Sequence, residues 1–364
     1  MKLGVEAVLL EGALLPGDVE VEDGRVARVG ISGRNGRGIA APGFVDLQVN
    51  GFGGVDFLDS DVAGYRRAGE ALLETGVTAY LPTFITTPEE QLLAAVAEVP
   101  AGDRRGPRIL GIHLEGPFLA PGRLGTHPPL ARRDPDPSLL ERLLASGRIR
   151  LMTLAPELEG ADVLIDLLLR RGVTVSCGHT DATAEEATTA FDQGVRTVTH
   201  LFNAMRPLRH RDPGIAGAAL DREDVIVQVI LDGVHLAPET ARLVWRAAAG
   251  RVALVTDAVS GAGVQDGSYS LGGFEVKIRD GVARGPDGQL AGSVLTMIEA
   301  VRNLHALGVP LEAALGAAAA VPARVLGLSD VGRLEPGAAA DVVVIDENLQ
   351  IERVLVGGQE RVVA

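Results

Sequence analysis

Several residue types are scarce in this chain of 364 residues, and each scarcity excludes a class of protein. Only 3% of the residues are aromatic, so aliphatic side chains must fill the core, and the 46% hydrophobic content is enough to bury a large one. The single cysteine, Cys177, excludes an internal disulfide and fits a reducing compartment. The longest apolar run is interrupted by Gly316 and Pro322 and is too short to span a bilayer. We expect a cytoplasmic protein with no membrane partner.

Basic charge is also scarce, because the formal net charge is −14 and lysine occurs only at Lys2 and Lys277. Such a field repels nucleic acid, so we expect no nucleic-acid partner. A small anion could still bind where arginines cluster, since the guanidinium group suits phosphate. The candidate cluster contains Arg206, Arg209, His210 and Arg211. A solvated surface loop is the alternative interpretation of that cluster.

Apolar, β-rich runs alternate with helical stretches through the middle of the chain, which indicates parallel β/α units. Eight such runs predict an α/β fold with a closed (β/α)8 TIM-like barrel. The predicted strands are Phe44–Asn50, Thr78–Thr83, Ile109–Glu115, Ile149–Ala155, Thr174–His179, Thr197–His200, Val225–Asp232 and Val252–Asp257.

Both ends of the chain contain short strands with turn residues between them, and neither end can close a core alone. We therefore predict a small, discontinuous β-sandwich domain from residues 1–41 and 334–364. The catalytic barrel would occupy residues 42–333. Three Asp-Gly pairs in a glycine-rich stretch predict a hairpin insert at about residues 261–292.

Titratable side chains stand at the carboxyl ends of four predicted strands. They are Glu115, His179, His200 and Asp257, and these ends converge on one face of a barrel. A single strand-end histidine is more often a satisfied core residue, but two beside a glutamate favour a metal site with an open position for water. Asp257 could then act as a general base, although a helix cap or turn residue is the alternative.

Two further histidines, His127 and His235, fall in predicted loops. Either one could donate a hydrogen bond to a substrate carbonyl or sugar hydroxyl, and a plain surface role is equally compatible with the composition around them. Cys177 has no evident partner that would stabilise a thiolate, so we expect it to be a packing residue.

The motifs in these strands resemble those of the N-acetylglucosamine-6-phosphate deacetylases of the amidohydrolase superfamily, over essentially the whole chain. The most specific elements are His113-Leu-Glu-Gly-Pro117 and His200-Leu-Phe-Asn-Ala-Met205. The others are Pro42-Gly-Phe-Val-Asp46, Gly178-His-Thr180, Asp232-Gly-Val-His235, Val255-Thr-Asp-Ala258 and Leu290-Ala-Gly-Ser293.

The resemblance implies hydrolysis of N-acetyl-D-glucosamine 6-phosphate to glucosamine 6-phosphate and acetate, in amino-sugar catabolism. Glu115, His179 and His200 would hold the metal, and Asp257 would be the catalytic base and acid. The implied substrate-binding residues are Thr126, His127, Asn203, Ala204, Arg211, His235, Leu290, Ala291 and Gly292. A homodimer is implied as well.

One departure from the wider superfamily bears on the number of metal ions. Where many amidohydrolases have His-x-His at the end of strand one, this chain has Gln48-Val-Asn50, and amides are poor ligands for a transition metal. We therefore expect one divalent cation, with zinc favoured over iron, manganese or cobalt. The alternative functions are a deacetylase of the galactosamine epimer, another amidohydrolase and a non-catalytic barrel scaffold.

Overall fold

A computed structural model describes residues 1–31, 36–101 and 106–363, and eight parallel strands form the centre of the fold. Each strand pairs with the next one along the chain, as in a barrel. The strands are Phe44–Val49, Val77–Ile85, Ile112–Glu115, Ile149–Leu154, Thr174–Cys177, Thr197–Val198, Ile226–Val229 and Val252–Leu254. The predicted fold class is confirmed.

The first and eighth strands meet at a seam that closes the barrel. Val49 bridges in parallel to Ala258, and the Asn50 N–H donates to the Ala258 carbonyl over 2.8 Å. Deeper in the seam, the hydroxyl of Thr256 donates to Asp46 over 2.6 Å. Side-chain and backbone bonds together therefore join the two ends of the strand order.

Helices surround the barrel. The sequence predicts helices at Asp61–Thr75, Pro88–Val99, Pro137–Ala145, Asp162–Arg171, Thr183–Gln193 and Pro238–Ala249, and the structure has a helix whose ends lie within two residues of each. Their starts carry the expected signals, such as the Asp61 cap on the Gly64 N–H and the Thr183–Glu186 capping box. The helices are Val62–Leu73, Glu89–Glu98, Pro137–Ser146, Ala161–Arg170, Ala184–Gln193, Gly214–Asp221, Pro238–Ala247, Met297–Ala306, Leu311–Ala318 and Ala320–Val325, with short 3₁₀ turns at Phe57–Asp59 and Pro121–Arg123. Gly214–Asp221 was not predicted, because its Gly and Ala residues carry no amphipathic pattern.

Strands from both ends of the chain share one six-stranded sheet. In spatial order they are Ala13–Pro16, Ala7–Leu10, Ile39–Pro42, Val342–Ile345, Ile351–Val356 and Gln359–Val363. A second sheet of Asp18–Glu22 and Arg25–Ile31 shares a separate aliphatic core with it, which includes Val8, Val19 and Val342. The domain boundaries given above stay a prediction.

The stretch after strand eight contains three antiparallel strands where the sequence predicted a hairpin. They are Gly267–Leu271, Phe274–Arg279 and Val282–Arg284, and the extra turn is formed by Gly272 and Gly273. Two short strands, Gly51–Phe52 and Val55–Asp56, pair at the end of strand one, and Arg108–Ile109 adds to strand two. Across the described ranges, every helix is too short or too polar to cross a lipid bilayer.

Candidate active site

The predicted site residues leave the barrel at the carboxyl ends of its strands. Glu115 is the last residue of strand three, whereas His179, His200 and Asp257 lie two or three residues beyond the ends of their strands. These three have positive φ angles of 49°, 29° and 50°, in the left-handed region that non-glycine residues rarely adopt. This backbone conformation ends the strands earlier than predicted and turns the side chains towards one point.

Three ligand-type atoms meet at that point. Glu115 Oε1 lies 3.1 Å from His179 Nε2 and 2.9 Å from His200 Nε2, and the two imidazole nitrogens are 3.1 Å apart. All three side chains are buried. Among the described residues, this is the only cluster of three or more His, Cys, Asp or Glu side chains that could hold a metal ion.

Neighbouring groups fix the orientation of these side chains. The Nδ1 atom of His179 lies 2.8 Å from the Arg123 carbonyl, which can only accept, so the neutral ring keeps a lone pair on Nε2. Gln48 Nε2 donates to Glu115 Oε1 over 3.1 Å. Burial opposes ionisation of Glu115, but the surrounding imidazoles of His127, His179 and His200 outweigh it and hold the pKa of this carboxyl well below its ordinary value.

The donor set fits a divalent cation. A carboxylate oxygen and an imidazole lone pair face each other at 3.1 Å, which is repulsive unless a cation lies between them. Ligands about 2.1 Å from a tetrahedral zinc ion are roughly 3.4 Å apart, close to the observed separations. Two histidines and one carboxylate also leave a fourth position for water.

Asp257 lies beside this cluster and is largely buried, at the floor of a cavity. Asn50 Nδ2 donates to Asp257 Oδ1 over 2.8 Å, so one carboxylate oxygen is held while the other is left for a ligand. Burial raises the pKa of Asp257 to about 8, and the negative charge of Glu115 adds to the rise. A divalent cation on Glu115 would oppose both effects and favour the carboxylate form that a general base needs.

His113, two residues before Glu115 in strand three, belongs to the barrel interior. Its Nδ1 atom lies 3.1 Å from the Leu47 carbonyl, and its Nε2 atom lies 2.8 Å from the Thr153 hydroxyl. Burial lowers the pKa of His113 to about 4, so the ring is neutral at physiological pH. It therefore supports the strands beneath the cluster and does not face the cavity.

A cavity of about 360 Å³ opens above the cluster and contains most of the predicted substrate-binding residues. Of these, Ala291 is buried behind the cavity wall and Arg211 is exposed outside it. The cavity is lined by Asn50, Ile85, Glu115, Gly122, Arg123, Gly125, Thr126, His127, His179, His200, Asn203, Ala204, Ile230, His235, Asp257, Leu271, Gln289, Leu290 and Gly292.

Three arginines are candidates for binding an anion. Arg123 lines the cavity, but its Nε and Nη2 atoms donate to Asp181 Oδ1 over 2.9 and 2.6 Å. Arg206, from the predicted cluster, is paired in the same way with Asp212 over 2.9 Å. Arg211 donates to His210 over 2.7 Å and forms no salt bridge with a carboxylate in the described part of the chain, so its charge is the least compensated of the three.

A larger cavity of about 720 Å³ lies near the small sheet, where Arg108, Leu328 and Val356 line it. None of the predicted site residues lines it, and its Arg108 is already bound to Asp341 over 2.6 Å. The smaller cavity at the carboxyl ends of the strands is therefore the candidate active site, because it contains the residues that can bind a metal and transfer a proton.

Comparison with known proteins agrees with this geometry. The model of the Amidohydrolase family matches residues 39–361. The chain belongs to the amidohydrolase family.

This amidohydrolase is similar in sequence and structure to several deacetylases of N-acetylated amino-sugar 6-phosphates. It is 38% identical to the N-acetylglucosamine-6-phosphate deacetylase of Homo sapiens, over 97% of this chain and 93% of that protein. It is 36% identical to the N-acetylgalactosamine-6-phosphate deacetylase of Escherichia coli O157:H7, over 96% of each. A mutant N-acetyl-D-glucosamine-6-phosphate deacetylase from Mycobacterium smegmatis, solved in complex with N-acetyl-D-glucosamine-6-phosphate, superposes with a TM-score of 0.94 at 37% identity, covering 100% of this chain and 99% of that one.

The site of this amidohydrolase includes residues that the sequence did not single out. Thr86 holds His127 through its backbone N–H and its hydroxyl, at 3.2 and 2.9 Å from Nδ1. Arg123 serves the site through its backbone carbonyl on His179. Neither residue forms part of a recognisable motif, because a backbone group can come from any residue type and leaves no trace in the sequence.

Proposed function

We propose that this amidohydrolase removes the acetyl group of N-acetyl-D-glucosamine 6-phosphate, giving D-glucosamine 6-phosphate and acetate. The observation that carries the proposal is the convergence of Glu115, His179 and His200 beside a buried Asp257, at the floor of a sugar-sized cavity. The relatives named above support the substrate class.

Glu115, His179 and His200 would hold one divalent cation, for which zinc fits the two imidazoles and one carboxylate best. When bound, such an ion lowers the pKa of water and polarises a carbonyl group. Iron, manganese and cobalt use the same ligand types, so metal analysis must identify the native ion.

Asp257 would act first as base and then as acid. It takes a proton from the attacking water and delivers it to the amide nitrogen when the carbon–nitrogen bond breaks. Asn50 keeps the carboxylate in place by occupying one of its oxygens. His127, which presents its Nε2 edge 3.7 Å from Glu115 Oε2, would donate to the acetyl oxygen as negative charge develops there.

The remaining predicted residues would bind the sugar and its phosphate. Thr126, His235, Leu290 and Gly292 line the cavity around the sugar, with Ala291 packed behind that wall. Asn203 and Ala204 line the side from which the loop to Arg211 leaves, so this loop would bind the phosphate. Dimerisation and a cytoplasmic location stay predictions from the sequence and its resemblance.

The test is to measure metal content and acetate release on the same purified protein. We expect about one divalent ion per chain and faster acetate release from the glucosamine than from the galactosamine 6-phosphate derivative. Faster turnover of the galactosamine epimer would reassign the substrate, because the two sugars differ only at one hydroxyl. Metal-bound protein that released no acetate from either sugar phosphate would refute the proposal.

A further inference from the structure

Two histidines line the cavity from different loops, and opposite kinds of group engage their Nδ1 atoms. The Thr86 backbone N–H, which can only donate, lies 3.2 Å from His127 Nδ1, and the Thr86 hydroxyl, which can donate as well, lies 2.9 Å from it. Its neutral ring therefore carries the proton on Nε2. Asp232 Oδ2, which can only accept as a carboxylate, lies 2.7 Å from His235 Nδ1. The neutral ring of His235 therefore carries the proton on Nδ1 and a lone pair on Nε2.

The loop around Asp232 holds its carboxylate in one orientation. Asp232 Oδ1 accepts the backbone N–H groups of Val234 and His235, each over 2.8 Å, so only Oδ2 is available to the ring. The side chains of His235 and Asp232 are 6% and 14% exposed, which limits competition from water. Burial raises the pKa of Asp232, but hydrogen bonds from His235 and the backbone hold it below the ordinary value.

We propose that Asp232 is a positioning residue that fixes His235 with its Nε2 lone pair towards the cavity, so that the site offers a donor at His127 and an acceptor at His235. The ligand side of this inference rests on the proposed function. The acetyl oxygen would accept from His127, and a ring hydroxyl would donate to His235. The C1 hydroxyl exchanges between two anomers, whereas those at C3 and C4 have a fixed configuration and are the candidate donors to His235.

Asp232→Asn is the informative variant because the loop should survive it. The amide oxygen can take the place of Oδ1 and keep both backbone hydrogen bonds. The amide NH₂ then takes the place of Oδ2 and points at His235 Nδ1. A donor at that position forces Nδ1 to accept, which moves the proton of the neutral ring to Nε2.

The direct readout is the ¹⁵N spectrum of protein labelled at its seven histidines, recorded at about pH 8, where an ordinary imidazole is neutral. His235→Gln assigns the signals. We expect His235 of the parent to be protonated on Nδ1 and unprotonated on Nε2, and Asp232→Asn to reverse the two. A parent ring protonated on Nε2, or an unchanged ring in Asp232→Asn, would overturn the inference.

The kinetic readout uses substrates with fluorine in place of the C3 or the C4 hydroxyl, since fluorine cannot donate. In the parent, one of these analogues should have a KM at least tenfold above that of the normal substrate. In Asp232→Asn, where His235 Nε2 carries a proton, the same fluorine replacement should raise KM less than threefold. Equal penalties in the two proteins for both analogues would refute the acceptor role of His235.

A matched control is Asp346→Asn, in an exposed turn of the small sheet. Asp346 Oδ1 also accepts two backbone N–H groups, from Asn348 at 2.9 Å and Gln350 at 2.7 Å. The Asp346→Asn variant should leave the histidine spectrum and the KM increases with the fluorinated substrates unchanged. A change in either would mean that the effects of Asp232→Asn come from a general loss of stability. If neither sugar phosphate is turned over and the histidine signals still reverse, the proposed function fails while the tautomer assignment stands.

Discussion

At the scale of single residues, the site is built on backbone conformations that most side chains avoid. His179, His200 and Asp257 all have positive φ angles, and so do Phe202 and Ala204 in the neighbouring loop. Each such residue costs about 1–3 kcal/mol, which the surrounding packing must offset. The concentration of these residues around one cavity indicates that the fold maintains strain there to aim side chains.

Asp257→Asn should abolish most turnover while leaving the metal in place. The amide has the shape of the carboxylate and can still bond to Asn50, but it cannot take a proton from water. General acid–base catalysis contributes on the order of 10²–10⁴-fold, so kcat should fall by about that factor. Steady-state kinetics with metal analysis checks this, and parental turnover would remove Asp257 from the role of base.

Arg211→Ala should weaken binding of the phosphorylated sugar selectively. Its guanidinium is the least compensated near the cavity, whereas that of Arg123 is already paired with Asp181. We expect KM for the phosphorylated substrate to rise at least tenfold and KM for the unphosphorylated sugar to stay within about twofold. Arg123→Ala is the comparison, and a larger phosphate-specific effect there would move the anion site to Arg123.

At the scale of elements, the seam between strands one and eight depends on a buried carboxyl group. Asp46 accepts from the Thr256 hydroxyl over 2.6 Å and from the backbone of Gln48 and Thr256 over 3.3 Å. Burial outweighs these hydrogen bonds and raises its pKa to about 7. Between pH 3.8 and about 7, the folded protein therefore keeps a proton on Asp46 that the unfolded chain has released.

Asp46→Asn should make the protein relatively more stable as pH rises. In the parent, the contribution of Asp46 is complete below its unfolded pKa of 3.8 and is lost as the pH approaches about 7. An uncharged amide has no such loss, so the difference in unfolding free energy should shift towards the variant by roughly 2–4 kcal/mol between pH 4 and 8. Urea unfolding at several pH values measures it, and parallel curves would contradict the buried proton.

The order and type of elements follow from the sequence, but their ends do not. Apolar runs and helix caps located all eight barrel strands and most helices, because burial and capping impose strong residue preferences. The helix Gly214–Asp221 was missed since small residues give no periodic signal. Strands five, six and eight end earlier than predicted because His179, His200 and Asp257 adopt left-handed backbone conformations, which tertiary packing selects.

At the scale of the whole molecule, a bound cation should stabilise the fold. An ion at a thousandfold excess over its Kd contributes about 4 kcal/mol, so chelation should lower the Tm by several degrees and added zinc should restore it. Glu115→Gln replaces the proposed carboxylate ligand that contacts both histidines, so the Tm of this variant should not change with chelator or added zinc. A parent whose Tm ignored both chelator and metal would contradict the metal site.

The cluster of Glu115, His179 and His200 could be predicted because parallel strands bring distant residues to one end of a barrel. The groups that orient the histidines of the site could not be predicted. The Arg123 carbonyl on His179 and the Thr86 N–H on His127 are backbone contacts that depend on loop paths. Arg211 was predicted at the site from its arginine cluster and from the family resemblance, and its exposed position shows that neither fixes where a long side chain lies.

The closing seam also sets an order in time. A ribosome releases the chain from its first residue, so Glu115, His179 and His200 emerge well before Asp257, which follows the last barrel strand. The position of the proposed base depends on this seam, because Asn50 at the end of strand one holds the Asp257 carboxylate over 2.8 Å.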